Sequence, residues 1–157
     1  MTVEALSSTA DIEEARARLV QSVHGLPEAA LSEANVVGRW SIGECLAHIL
    51  AWDAWGTQAF AALERGESPP APDEATMNRA AVARYAGAPA EDFLRALQET
   101  HRGLVARLAA MTDEERMEPR YQFAGRAVSA NEFMDGFMDH DLEHASQIRA
   151  WRKARRL

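Results

Sequence analysis

Apolar residues recur along this chain with the three- and four-residue spacing of amphipathic helices, and clusters of Gly, Pro and short polar residues separate the periodic stretches. The first period runs through Ile12, Leu19, Val20 and Val23. It predicts a helix capped near Ser8 or Thr9 and stopped near His24-Gly25, with Pro27 beyond. Pro27 to Arg39 carries no firm period and reads as a loop with one short turn. Ser41-x-x-Glu44 has the capping-box pattern, in which the serine oxygen takes an early backbone N–H and the glutamate returns to the cap residue. It opens a second helix through Cys45, His48, Ile49, Trp52, Trp55 and Phe60 toward Arg65-Gly66. After Pro69, Pro70 and Pro72, the stretch Asp73 to Tyr85 has modest helical character and little apolar surface, and is expected to cross between long elements. Pro89 starts a third long helix built on Phe93, Leu94, Leu97, Leu104, Val105 and Leu108.

Thr112-x-x-Glu115 repeats the capping signature but is followed by Pro119, so a single turn is predicted there. Arg120 to Val128 reads as a connection centred on Gly125, and Ser129-x-x-Glu132 caps a last helix that runs past Trp151. No alternating strand pattern, fixed-period repeat or low-complexity run interrupts this order. Four long helices, with a longer crossing connection between the second and third, predict an all-α four-helix bundle, one domain over 1–157, with ligand sites between facing helices.

Composition narrows the function classes. At 157 residues and 47% hydrophobic content the chain can bury one sizeable core. A net charge of −7 argues against a nucleic-acid footprint, which needs a basic surface. The cations Arg149, Arg152, Lys153, Arg155 and Arg156 fall at the end of the last helix, where they complement its dipole. The N-terminal stretch lacks the basic start and apolar run of an export signal, and no segment approaches a membrane span, so a cytoplasmic protein is expected. Cys45, the single cysteine, excludes an intrachain disulfide or a thiolate zinc cluster, and among Ile42, Leu46 and Ile49 it is expected to be a small buried apolar residue.

The histidines change the picture most. Phe133, Phe137, His140, His144, Ile148 and Trp151 share one stripe of the last helix, so two imidazoles one turn apart lie inside its apolar face. Buried ring nitrogens without partners are costly, on the order of 1–3 kcal/mol each, so a polar group should meet them. His48, on the stripe of Cys45, Trp52 and Trp55, is the third candidate, and three neutral imidazoles make an open metal site. Asp141, three residues before His144, is the best-placed carboxylate to orient a ligand; Asp53, Asp139 and Glu143 are weaker, and Glu44 is explained by its cap. His101, between Thr100 and Arg102, is expected at the surface, and His24 at a helix end. Trp40, Trp52, Trp55, Phe133 and Phe137 are read chiefly as core, with Trp52, Trp55 and Phe137 also able to line a pocket.

The segments GRWSIGECLAHILAWD (Gly38 to Asp53) and HDLEHASQIRAW (His140 to Trp151) together resemble the DinB/YfiT-like superfamily of four-helix-bundle proteins. The LPEAAL stretch and Met77-Asn78 resemble in particular its ClbS/DfsB group. The resemblance implies a divalent-metal triad at His48, His140 and His144, zinc or nickel as the metal, and chemistry on small molecules that includes thiol S-transfer and a thiol-dependent isomerisation. It also implies, for the ClbS-like group, protection against an electrophile without a metal.

Three functional readings follow. One is a metal-dependent transferase or hydrolase acting on a small electrophile, with a low-molecular-weight thiol as a second partner. Another is a metal-free binding or resistance protein that uses the cavity at Trp52, Trp55 and Phe137. The last is a helical module whose bundle serves mainly to form a homodimer.

Overall fold

The computed structural model describes residues 7–123 and 125–157; the start of the stretch read for an export signal and the first residues of the 1–157 domain lie outside it. Seven helices occur among these residues: α1 Thr9–Val23, α2 Glu28–Leu31, α3 Ile42–Glu64, α4 Glu74–Arg84, α5 Ala90–Ala109, α6 Asp113–Met117 and α7 Ala130–Arg155. Four of them, α1, α3, α5 and α7, are the long helices of the bundle. α1 lies against α7 and α5, α3 lies against α5, and α4 crosses on the outer side of α3. The backbones of α3 and α7 approach each other at far fewer points than those of α1 and α7. A cleft is left between them.

Local chemistry sets the helix ends. Ser8 Oγ accepts the N–H of Asp11 and Asp11 returns to the N–H of Ser8; Ser41 and Glu44 make the same reciprocal pair at the head of α3. At Ser129 only half of the expected box forms. Its hydroxyl accepts the N–H of Glu132, while the Glu132 carboxylate turns to Arg126 at 3.0 Å. Gly25 and Gly66, with φ of 75° and 73°, follow α1 and α3 in the left-handed conformation that glycine supplies without steric cost.

One expectation is corrected here. The connection before α7 contains an antiparallel hairpin, β1 Tyr121–Phe123 and β2 Arg126–Val128, with Tyr121 opposite Val128 and the turn passing through Gly125. Three-residue strands are too short to show an alternating pattern, so periodicity had no signal to offer. The hairpin buries Tyr121 and Val128 against the bundle and brings Phe123 to the mouth of the cleft.

The interior has two apolar layers. One holds Leu19, Val23, Ile42, Leu46, Phe93, Leu97 and Ile148, and the other holds Ile12, Phe60, Leu104, Leu108, Phe133 and Met134. Between them lies a polar layer. Arg16 is 3% exposed and donates five hydrogen bonds: to both oxygens of Asp53 at 2.7 and 3.0 Å, to both oxygens of Asp141 at 2.9 and 3.1 Å, and to the carbonyl of Leu97 at 2.9 Å. Thr100 Oγ1 donates to Asp53 at 2.6 Å. One guanidinium thus joins α1, α3, α5 and α7. Burial works against its charge, but Asp53 and Asp141 outweigh that and raise its pKa above the ordinary value. Burial pushes the Asp141 carboxyl up to about 6 against the pull of Arg16.

His101 borders this layer and is 5% exposed, which corrects the expectation that it faces solvent. Leu97, His101, Leu104 and Leu108 follow the helical i, i+4, i+7, i+11 rule and all turn inward. Neither ring nitrogen finds a hydrogen-bond partner among the described residues. Burial, then the nearby charge of Arg16, pushes its pKa down to about 4, opposed by Asp53 and by the Ile12 backbone, which lies near the ring without completing a well-formed hydrogen bond. The folded chain therefore holds His101 neutral where the unfolded chain protonates it near 6.5. Its contribution is intact above that value and is lost as pH falls toward 4, by on the order of 2–3 kcal/mol. His101→Leu is expected to stabilise the protein at pH 7 by about 1–3 kcal/mol, since two orphaned nitrogens disappear. It should also flatten stability between pH 6.5 and 4, as urea denaturation at a series of pH values will show. Equal pH slopes in both proteins would disprove this account.

No helix among the described residues is long and apolar enough to cross a membrane.

Candidate metal centre

His48 on α3 and His140 and His144 on α7 bring their rings together at the inner end of the α3–α7 cleft. The capping box at Ser41 fixes where α3 starts and so aims His48 across the cleft. The four-residue separation of His140 and His144 places both on the facing side of α7. His140 Nε2 lies 2.9 Å from His48 Nε2 and 2.9 Å from His144 Nε2. The ligand atoms of the three all lie within 4.8 Å of one another, and they form a group that could hold a metal ion.

The far side of two rings is fixed by hydrogen bonds. His48 Nδ1 meets Asn78 Oδ1 at 2.9 Å, and His144 Nδ1 meets Gln147 Oε1 at 2.8 Å. An amide oxygen only accepts, so both Nδ1 atoms carry the proton and both Nε2 atoms present a lone pair to His140. His140 Nε2 has at most one hydrogen to give. It can satisfy one of its two neighbours and leaves the other lone pair facing nitrogen. A cation at the point of convergence resolves all three, so the donor set fits a divalent ion.

The electrostatics agree. Burial is the largest influence lowering the pKa of His48, opposed by the Asn78 bond and reinforced by His144. His140 is pushed down to about 3 by burial and then by the neighbouring charges of His144, His48 and Arg16. Both rings are neutral at pH 7, the protonation state in which imidazole ligates a metal. The Trp40 ring lies against His48 with centroids 4.6 Å apart.

Of the other expected residues, Trp52, Trp55 and Phe137 do line the cleft with His48 and His140, in a cavity of about 440 Å³. Trp55 is anchored by its indole N–H on the Pro70 carbonyl at 2.9 Å. Asp141, expected to orient a histidine, instead gives both oxygens to Arg16, because its position on α7 turns it toward α1 rather than α3. Asn78 and Gln147 hold the rings in its place. Gln147 lies three residues after His144, a spacing visible in the sequence. Asn78 comes from α4, and the Met77-Asn78 resemblance was its only trace. Arg16 went unread, although it shares the stripe of Ile12, Leu19 and Val23. Cys45 is fully buried as expected, and burial pushes its thiol up to about 12. The C-terminal cations are partly engaged: Arg152 donates to the carbonyls of Ser22 and His24, and Arg155 pairs with Glu33.

Fold and histidine cluster together define a class: helical bundles that carry three imidazoles from two facing helices in a side cleft. Within it the assignment is specific, since a family model of the DinB superfamily matches residues 11–148 and the chain belongs to that superfamily. No curated protein matches the sequence. Among solved structures, YfiT from Bacillus subtilis, described as a probable metal-dependent hydrolase with an unusual four-helix bundle topology, is similar with a TM-score of 0.77 and 18% identity. That match covers 98% of this chain and 92% of that one. The colibactin self-resistance protein ClbS, solved with a double-stranded DNA, has a TM-score of 0.77 at 11% identity over 92% of this chain and 93% of its own. A mycothiol-dependent maleylpyruvate isomerase has a TM-score of 0.74 at 13% identity, covering 89% of this chain and 58% of its own. Identities this low establish a shared fold and nothing finer.

Proposed function

We propose that this protein is a metal-dependent enzyme which binds one divalent ion, zinc or nickel, through His48, His140 and His144. It acts on a small electrophile held in the neighbouring cleft, by transfer of a low-molecular-weight thiol or by hydrolysis. The observation that carries this reading is the meeting of three Nε2 atoms whose lone pairs lack enough hydrogens to satisfy one another. Such an ion supplies Lewis acidity, lowering the pKa of a water or thiol so that a nucleophile exists near neutral pH.

The chain's own groups do the rest. Asn78 and Gln147 hold two rings in the tautomer that leaves Nε2 free. Trp52, Trp55 and Phe137 shield the inner end of the cleft from bulk water and offer an apolar surface to the substrate. The one cysteine is sealed in the core, so a thiol nucleophile has to come from solution. Two similar folds point the same way, one described as a probable metal-dependent hydrolase and the other as mycothiol-dependent. The net charge of −7 favours a small molecule over a nucleic acid.

Protein purified without a histidine tag and loaded with zinc or nickel is expected to retain one ion per chain by elemental analysis. It should then accelerate consumption of a thiol by an electrophile, or hydrolysis of an activated ester. A metal-loaded protein inert toward every such pair would leave metal-free capture of a small molecule in the aromatic cleft as the better reading.

A further inference from the structure

The cleft beside the histidines contains a glycine that its helix does not need. Gly136 lies in the interior of α7, one turn before His140, where glycine weakens a helix relative to alanine. Two physical reasons commonly require glycine, a left-handed backbone or a close approach, and neither applies. Its φ is not among the positive values, and a Cβ built there would meet nothing within 4 Å. Gly56 on α3 is the opposite case. A Cβ there would lie 2.7 Å from Phe137 Cζ, so the missing side chain lets the Phe137 ring settle against α3, where it lines the cleft. Gly103 on α5, exposed like Gly136, also has open space around it, but it is not part of the cleft lining. What sets Gly136 apart is location: it lines the same cavity as His48, His140 and Phe137.

We propose that Gly136 is the specificity-determining position of this cleft: its absent side chain keeps open the passage to the His140 ring, and the space admits a substrate with a flat, neutral, aromatic body. The inference rests on the cleft being the substrate site proposed above. Helical side chains lean toward the N-terminus, so the His140 ring lies over the turn that contains Gly136, and a larger residue there would occupy the volume between the ring and the mouth. The walls around Gly136 are aromatic, with Phe133 and Phe137 on its own helix and Trp52, Trp55 and Phe123 from α3 and the hairpin. Phe133 stands 5.6 Å from Trp55, 5.8 Å from Phe123 and 5.2 Å from Phe137, at tilted or edge-on angles that expose faces and edges for stacking. The cavity of about 440 Å³ falls in the range of small-molecule pockets. Its polar lining is Glu74, Arg126 and Glu132 besides the histidines, and Arg126 is already paired with Glu132 at 3.0 Å. A net negative mouth disfavours an anion.

The test uses the full chain, metal-free, and the fluorescence of N-phenyl-1-naphthylamine, a neutral two-ring probe. Gly136→Leu is expected to weaken probe binding at least tenfold and Gly136→Ala by a smaller factor, while Gly103→Ala leaves it unchanged. Both alanine variants should melt a few degrees above the parent, which shows that the fold is intact and that the loss belongs to the cleft. The anionic 1-anilinonaphthalene-8-sulfonate should bind the parent more weakly than the neutral probe. Undiminished probe binding in Gly136→Leu overturns the assignment, and equal or tighter binding of the sulfonate overturns the neutral body. Zinc uptake is measured on the same variants. Uptake should match the parent, and a parent that binds the probe but no metal would sink the metal reading while leaving this one standing.

Discussion

Arg16→Met is expected to cost about 3–5 kcal/mol of folding free energy, a large share of the roughly 5–15 kcal/mol that holds a domain together. The guanidinium donates to two carboxylates that are 0% and 1% exposed. Taking it away strands Asp53 and Asp141 in the interior, facing one another with no counter-charge. Most of the loss is this desolvation penalty, which water cannot relieve because the apolar layers on either side close the site. Thermal melts should show a drop of about 6–20 °C, given roughly 2–4 °C per kcal/mol for a chain of this size. The companion variant sharpens the interpretation. Replacing Arg16, Asp53 and Asp141 together with Met, Leu and Leu removes all the buried charges at once and is expected to recover most of the loss, since apolar substitutes for a buried ion network are often neutral or better. A single variant within 1 kcal/mol of the parent would mean that the carboxylates find other partners and that the network does not hold the four helices in register.

The second large effect is on metal affinity. His140→Ala is expected to weaken zinc binding by a factor on the order of 10² to 10³, its share of the roughly 10–16 kcal/mol of a full structural site. His140 is chosen because its Nε2 stands 2.9 Å from each of the other two. Asn78→Ala and Gln147→Ala remove only the groups that fix ring tautomers and are expected to cost about 10- to 100-fold. Competition against a chromogenic chelator separates these grades, and melts of the metal-free variants distinguish lost affinity from lost fold. If the triple alanine variant at His48, His140 and His144 still takes up one ion per chain, the site has been placed wrongly.

How much of this could be read beforehand depends on how far each contact reaches along the chain. Three of the long helices, α1, α3 and α7, were legible because their caps are local: Ser8, Ser41 and Ser129 each act on a backbone N–H three residues away. The histidines were legible because His140 and His144 are one turn apart and His48 sits at a matching point on another apolar stripe. Arg16 was not, because the residues that justify burying it lie 37 and 125 positions away. A charged residue between Glu14 and Arg18 looks solvated until the partners are known. The clue lay in the stripe Ile12, Arg16, Leu19, Val23, and the stripe Leu97, His101, Leu104, Leu108 held the same clue for His101. A polar residue inside an apolar period marks a buried polar layer, and here both marks point to the same one. The hairpin at Tyr121 to Val128 gave no warning, because it is held by the bundle rather than by a pattern of its own.

Cys45 carries a last consequence. Cysteine is the side chain most open to alkylation and oxidation, and its reactivity follows its exposure and its thiolate fraction. Here the sulfur has no contact with solvent and ionises only near the top of the titration range, about 12, so almost no thiolate exists under physiological conditions. The folded chain thereby keeps its one thiol away from alkylating and oxidising reagents, and only unfolding exposes it to them.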